Sequence, residues 1–251
     1  IKHRSEYRTS AERQAGHTFV KGNLVDPMPF DAMDRLKSLR KKKIPQKFPK
    51  KAPAIIHISM YCNKSFPTRI FHVLSAKDGM NSHAVFFKNN FINEHLPVTE
   101  KELRLLTDLI SSINPAAITM SVLAPYVVQT RKAVAAIRKI SDAPIILGGK
   151  YPTIAPHEAL EFADYACKGE GEFVVLKIHE RLKRGENLDG ILGLWYKNSD
   201  GNVIDMDQEA LYQDLDDIPY AAIGEPQMHF LENDELSIID TELIDGEMLI
   251  M

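Results

Sequence analysis

Residues Pro144 to Glu172, PIILGGKYPTIAPHEALEFADYACKGEGE, decide how the chain is read. Pro144 to Leu147 is a short apolar run of the kind that forms a buried strand, and Gly148-Gly149 turns the chain after it. A short helix opens near Pro156, a second short strand follows, and Gly169-Glu170-Gly171-Glu172 leads into a further helix. Two glycine turns that each follow a strand and precede a helix put two backbone-exposing loops at one edge of a parallel sheet. In open α/β sheets that edge, outside the carboxyl ends of the strands, receives ligands.

The preceding residues repeat the same unit. Ala54 to Met60 is apolar nearly throughout, as expected of a strand covered on both faces. A helix follows from Phe66 to Lys77, then a strand from His83 to Lys88. Thr99 and Glu102 form a capping box for a helix with Leu103, Leu106, Leu109 and Ile110 on one face. Ala116 to Met120 reads as the third strand, Tyr126 to Ile140 as a helix, and Glu172 to Arg184 as the last helix. Five strand–helix units with short connections imply a parallel sheet with right-handed crossovers and helices on both faces. The expected fold is a flavodoxin-like (Rossmann-like) doubly wound five-stranded parallel sheet, with its switch point between strands one and three.

The flanks read differently. Residues 1–51 are a basic, partly helical extension and solvated linker, with Arg40-Lys41-Lys42-Lys43 at its centre, and 52–187 hold the sheet. Residues 188–222 read as a β-hairpin around Asn198-Ser199-Asp200-Gly201 and a linker through Asp214 to Pro219. The chain begins at Ile1 and closes on the apolar run Met248 to Met251, so both ends read as cut from something longer.

Composition narrows the partners. With 44% hydrophobic and 26% charged residues the 251-residue chain is an ordinary globule, and a net charge of −3 gives no default nucleic-acid partner. No apolar run reaches the roughly 18 residues of a membrane span. Two cysteines, Cys62 and Cys167, supply neither a disulfide framework nor metal-site spacing, so the expected setting is cytoplasmic and no metal ligands are assigned. GxGxxG and Walker A patterns are absent.

The loop after strand three, Ser121-Val122-Leu123-Ala124-Pro125, neighbours Gly148-Gly149. Small residues there let a flat or elongated ligand reach the backbone, and a serine hydroxyl can donate or accept a hydrogen bond. Each piece alone has an ordinary reading: a tight turn for the glycines, a helix cap for Ser121.

Taken together, Asn114 to Leu123, Pro144 to Gly149, Tyr151 to Thr153, Ala163 to Tyr165, Gly169 to Glu172 and Asp214 to Pro219 resemble the N-terminal cobalamin (vitamin B12)-binding domain of cobalamin-dependent radical S-adenosylmethionine (SAM) enzymes. The resemblance spans about residues 52 to 220. It implies cobalamin as cofactor, with Ser121, Leu123, Gly148 and Gly149 along the channel for the nucleotide tail, and Tyr126, Tyr151, Thr153, Gly169 and Glu170 shaping the rest of the pocket. Tyr126 and Tyr151 read equally well as surface aromatics, and Glu170 as a solvated charge at a helix start. No residue is assigned as acid, base or nucleophile.

Two departures sharpen the expectation. The histidine-bearing loop of cobalamin domains is missing, since the first loop reads Ser59 to Ser65, and His57 and His72 read as packing or surface residues. The resemblance then implies base-off cobalamin without a protein histidine beneath cobalt. The chain also has no Cys-x-x-x-Cys-x-x-Cys motif. The 4Fe-4S cluster, S-adenosylmethionine and the radical SAM barrel are therefore expected of a full-length parent, in the same or a partner chain. Residues 223–251 would be the start of that truncated domain. Two other readings stay open on this fold: a receiver-like module, with Lys168 as its one matching residue, and an interaction module that binds no cofactor.

Overall fold

Period-two alternation in the central strands sorts side chains between two layers of helix. The computed structural model describes residues 50–60, 66–87, 97–207 and 227–238, the strand pair Phe19–Val20 and Asn23–Leu24, and residues 35, 38, 39, 42, 43, 218 and 219. Five parallel strands form the centre: β1 (Ala54–Ser59), β2 (Asn81–Phe87), β3 (Ala117–Ser121), β4 (Ile145–Gly148) and β5 (Tyr165–Cys167). Their order is β2-β1-β3-β4-β5, so the winding reverses between β1 and β3.

Among the described residues the sheet has nine strands and is mixed, where the sequence leads one to expect five in parallel. β6 (Leu194–Lys197) pairs antiparallel with β5, and β7 (Val203–Ile204) antiparallel with β6. The segment read as a separate hairpin is thus the sheet's own edge. At the opposite side β8 (Met228–Glu232) pairs parallel with β2, and β9 (Glu235–Ile238) turns back on it. The physical reason is that β2 and β5 would otherwise end the sheet with open rows of backbone donors and acceptors.

The α-helices that lie wholly within the described residues are α1 (Phe66–Lys77), α2 (Glu100–Ile113), α3 (Val127–Ile137), α4 (Lys150–Ile154), α5 (Pro156–Ala159) and α6 (Gly171–Arg184). Thr99 Oγ1 accepts from the Glu102 N–H and Glu102 Oε2 from the Thr99 N–H, both at 3.0 Å, so the capping box forms as spelled. Ile56, Ile58, Ile118, Met120 and Leu147 pack with Leu106, Ile110, Val134 and Ile137 from α2 and α3. The alternate residues Ile55, Ala117, Ile146 and Cys167 meet Val174 and Ile178 of α6 instead. Among the described residues no helix is long and apolar enough to cross a membrane.

The N-terminal extension touches the sheet domain at the described residues Leu39 and Arg35. Leu39 is buried and packs with Leu74 of α1 and Phe173, Val175 and Leu176 of α6. Arg35 pairs with Asp78 at 2.5 Å and with Glu180. The rest of residues 1–34, the loop Tyr61 to Ser65, Asp214 to Asp217 and residues 239–251 lie outside the described residues.

Leu39→Ala should lower stability by about 2–5 kcal/mol, the usual cost of emptying a buried leucine site. Urea unfolding of the full chain measures it, and an unchanged midpoint would mean that this segment does not dock on α1 and α6 in solution.

Candidate functional site

The carboxyl ends of β3 and β4 are clamped together at Gly149. The Val122 N–H donates to the Gly148 carbonyl at 2.8 Å, and the Tyr151 N–H returns to the Val122 carbonyl at 3.2 Å. Gly149 has φ +94°, and a Cβ there would sit 2.9 Å from the Val122 carbonyl oxygen and 3.3 Å from Ser121 Oγ. Only glycine fits, on conformation and on space. Gly148 differs, because a Cβ would meet only Cys167 Cβ at an ordinary 3.9 Å.

Behind this clamp lies a cavity of about 180 Å³ between the sheet and helices α1 and α6. Its sheet wall includes Thr119, Ser121, Gly148 and Cys167, its helix wall Phe71, Val174 and Ile178, and its rim Gly169 to Glu172. Gly171 lets that rim close against α1, since a Cβ would fall 2.4 Å from Phe71 Cζ and push the ring aside. Burial, then the nearby Glu172 carboxylate, pushes the Cys167 thiol up to about 12, so it is a neutral wall group. Burial and the neighbouring Glu170 also raise the Glu172 carboxyl.

Of the nine residues singled out from sequence, Ser121, Gly148, Gly149, Gly169 and Glu170 line this cavity. The other four stand elsewhere. Leu123 precedes the 3-10 turn Ala124–Tyr126, and Tyr126 packs against the core on the opposite face of the sheet. Tyr151 is buried in that same core, its hydroxyl donating to Glu158 at 3.3 Å. Thr153 joins the two glycine loops: its hydroxyl donates to the Gly149 carbonyl at 2.9 Å and accepts the Gly169 N–H at 3.4 Å. Thr119 and Cys167 were missed, although Thr119 shares the strand face of Ser121 by simple alternation. Phe71 left no signal in the sequence, because its place opposite Gly171 exists only once α1 and α6 meet.

The same face of the sheet carries buried polar groups. His57 Nδ1 lies 2.7 Å from Thr119 Oγ1 and Nε2 lies 2.9 Å from Ser75 Oγ. Ser75 continues to His179 Nε2 at 2.7 Å, and His179 Nδ1 to Asp78 at 3.0 Å. Burial, opposed in part by Asp78, lowers His179; burial with the neighbouring His72 lowers His57 well below 6.5. His72, bonded to Ser82 at 3.0 Å, is pushed down to about 3 by burial and His83. Burial alone would raise Asp78, but hydrogen bonds from His179, Lys183 and Arg35 outweigh it and hold the carboxyl well below its usual range. His57 and His72 are therefore core residues of a polar network. Lys168, the receiver-like feature, pairs with Asp207 at 2.9 Å and lies over the Trp195 ring. Among the described residues no group of three or more His, Cys, Asp or Glu could hold a metal.

No protein-family model matches the chain. An uncharacterized methyltransferase of Pyrococcus horikoshii is 33% identical over 78 residues, which is 30% of this chain and 17% of that protein. The radical S-adenosylmethionine methyltransferase TsrM from Kitasatospora setae, with cobalamin and a [4Fe-4S] cluster bound, superposes with a TM-score of 0.51. Identity is 17%, over 70% of this chain and 32% of that one. The cobalamin-dependent S-adenosylmethionine radical enzyme OxsB, with aqua-cobalamin and S-adenosylmethionine bound, gives 0.53 at 14% identity, over 75% of this chain and 29% of that one. The fold is shared with these enzymes. The chain spans under a third of their length and about a sixth of the curated relative's.

Two measurements test the site's construction. Gly149→Ala should destabilise by ~1–3 kcal/mol through its positive φ and the Val122 carbonyl, with Gly148→Ala close to wild type in the same denaturant titration. Stability should also fall on acidification below about pH 6.5. His57, His72 and His179 stay neutral when folded but bind protons when unfolded, so each costs up to ~1.4 kcal/mol per pH unit. Asp78, lowered in the folded state, adds loss in the same direction only below its unfolded value near 3.8. Unfolding midpoints that do not move between pH 7 and 5 would show these rings to be charged in the folded protein.

Proposed function

We propose that this chain is the cobalamin-binding module of a radical SAM enzyme, holding the nucleotide tail of base-off cobalamin in the cavity. The observation that carries the reading is the Gly149 clamp. A backbone approach that excludes even a methyl group joins Ser121-Val122 to Gly148-Gly149, and the cavity lies directly behind it.

The residues fit the group. Apolar cavities of about 150 Å³ accept a benzene ring, so about 180 Å³ suits one flat aromatic base and leaves a corrin ring outside. Ser121, Gly148, Gly149, Gly169 and Glu170 would line the tail, with Thr119 and Cys167 added by the structure. Thr153 would keep the two loops in register, while Leu123 and Tyr126 belong to the adjoining turn. His57 and His179 have both ring nitrogens bonded inside the protein, which agrees with a cobalt that receives no imidazole from them.

When bound, the cofactor supplies methyl transfer or related radical chemistry, and the 4Fe-4S cluster and S-adenosylmethionine would come with a barrel in the same or a partner chain. This chain's residues contribute binding and orientation and no acid or base. On this reading 52–187 is the binding domain, 188–222 the hairpin and linker and 223–251 the start of the truncated radical SAM domain; within that last segment β8 pairs with β2 of the sheet.

Cobalamin added to the purified chain should survive desalting as a retained chromophore. It should also raise stability by about 2.7 kcal/mol at a hundredfold excess over Kd. The cob(II)alamin resonance should lack nitrogen coupling from a protein imidazole. Gly148→Leu should abolish retention while leaving the circular dichroism spectrum intact. A melting curve that cobalamin leaves unmoved would favour the cofactor-free interaction module instead.

A further inference from the structure

A line of five side chains runs from the cavity wall to the surface, and holding a cofactor tail by shape makes no use of it. Thr119, which lines the cavity, is followed by His57, Ser75, His179 and Asp78, linked at 2.7, 2.9, 2.7 and 3.0 Å. His57, Ser75 and His179 are each no more than 1% exposed. Thr119 is only half-buried in an otherwise buried strand. At the outer end Asp78 also receives Arg35 Nε at 3.2 Å and Lys183 Nζ at 2.8 Å.

The sense of every bond follows from the acid end. A carboxylate facing three nitrogen donors can only accept, so His179 Nδ1 carries the hydrogen. Burial, with Lys183 and Arg35 alongside, outweighs the pull of Asp78 and disfavours a second proton on that ring, which leaves Nε2 as an acceptor. Ser75 has one hydrogen and must give it to His179, so its oxygen accepts from His57 Nε2–H. His57 Nδ1 is then an acceptor, and Thr119 commits its only hydrogen to it.

We propose that Thr119 is a specificity-determining residue of the cavity, an obligate hydrogen-bond acceptor whose sense is set by Asp78. The cavity accordingly favours a tail base that presents an N–H edge, such as an exocyclic amino group, over one edged with methyl groups. The identity of the ligand rests on the cofactor reading above; the sense of the chain does not. A ring nitrogen with a lone pair at this wall would face a second lone pair. A methyl group would leave the acceptor capacity of that oxygen unmet at the cavity wall. An N–H completes it. Ser121, Glu170 and Glu172 also line the cavity.

The full chain, labelled with nitrogen-15, tests the sense directly. Long-range proton–nitrogen correlation at pH 7 should show His179 protonated on Nδ1 and His57 on Nε2. Either ring in the other tautomer, or as imidazolium, would overturn the assignment. Competition between two cobamides, one with adenine and one with 5,6-dimethylbenzimidazole as tail base, tests the preference. The adenine form should bind about tenfold more tightly, the scale of one unmet buried acceptor. Thr119→Val should erase the difference and Thr119→Ser restore it. Equal affinities in the wild type with the expected tautomers would remove the base preference alone. If neither cobamide binds, the cofactor reading falls and the base preference with it, whereas the tautomer spectrum stands by itself.

Discussion

The contact between Gly149 and the Val122 carbonyl is the constraint on which the carboxyl edge of this sheet depends. Two loops that follow neighbouring strands are drawn so close that no side chain can stand between them. The clamp fixes Ser121 at the end of β3, directs the chain into α4, and brings Thr153 to where its hydroxyl ties in the third loop through Gly169. A substitution at Gly149 therefore disturbs three loops at once. At Gly148, one residue earlier, it changes mainly the shape of the cavity.

The two faces of the sheet are built on different principles. Under α2 and α3 the strands offer Ile56, Ile58, Ile118 and Met120, and the packing there is apolar and closed. Under α1 and α6 the alternate positions of β1 and β3 hold His57, Ser59, Thr119 and Ser121. That face forgoes part of its hydrophobic burial and keeps an internal cavity, and each buried imidazole needs a partner to offset its desolvation. The partners run outward to Asp78, where Arg35 from the N-terminal extension joins the ion cluster. Docking of that extension through Leu39 and Arg35 thus borders the same network that reaches the cavity wall.

Local patterns were legible where one residue's chemistry has one structural outcome. The Thr99–Glu102 capping box, the limits of α1 and the strand-and-turn reading of Pro144 to Gly149 all follow from neighbours in sequence. Strand number was not legible, because an edge strand such as Met228–Glu232 has no pattern of its own that names its partner. Its place follows from the open edge of β2. The short helix Lys150–Ile154 was hidden by the glycines before it and Pro152 within it, both of which read as breakers.

For the site, the sequence by itself determined the two glycine turns, the serine that ends the neighbouring strand and their common edge of the sheet, because turn chemistry and strand alternation are local properties. Only the tertiary structure decided which side chains share one space. Tyr126 and Tyr151 went to the closed face, and Thr119, Cys167 and Phe71 came to the cavity. It also decided that His57 stands in the middle of a line of buried hydrogen bonds and not at the surface. The reason is that donors and acceptors 18 and 62 residues from His57 meet only after α1 and β3 have packed beside β1.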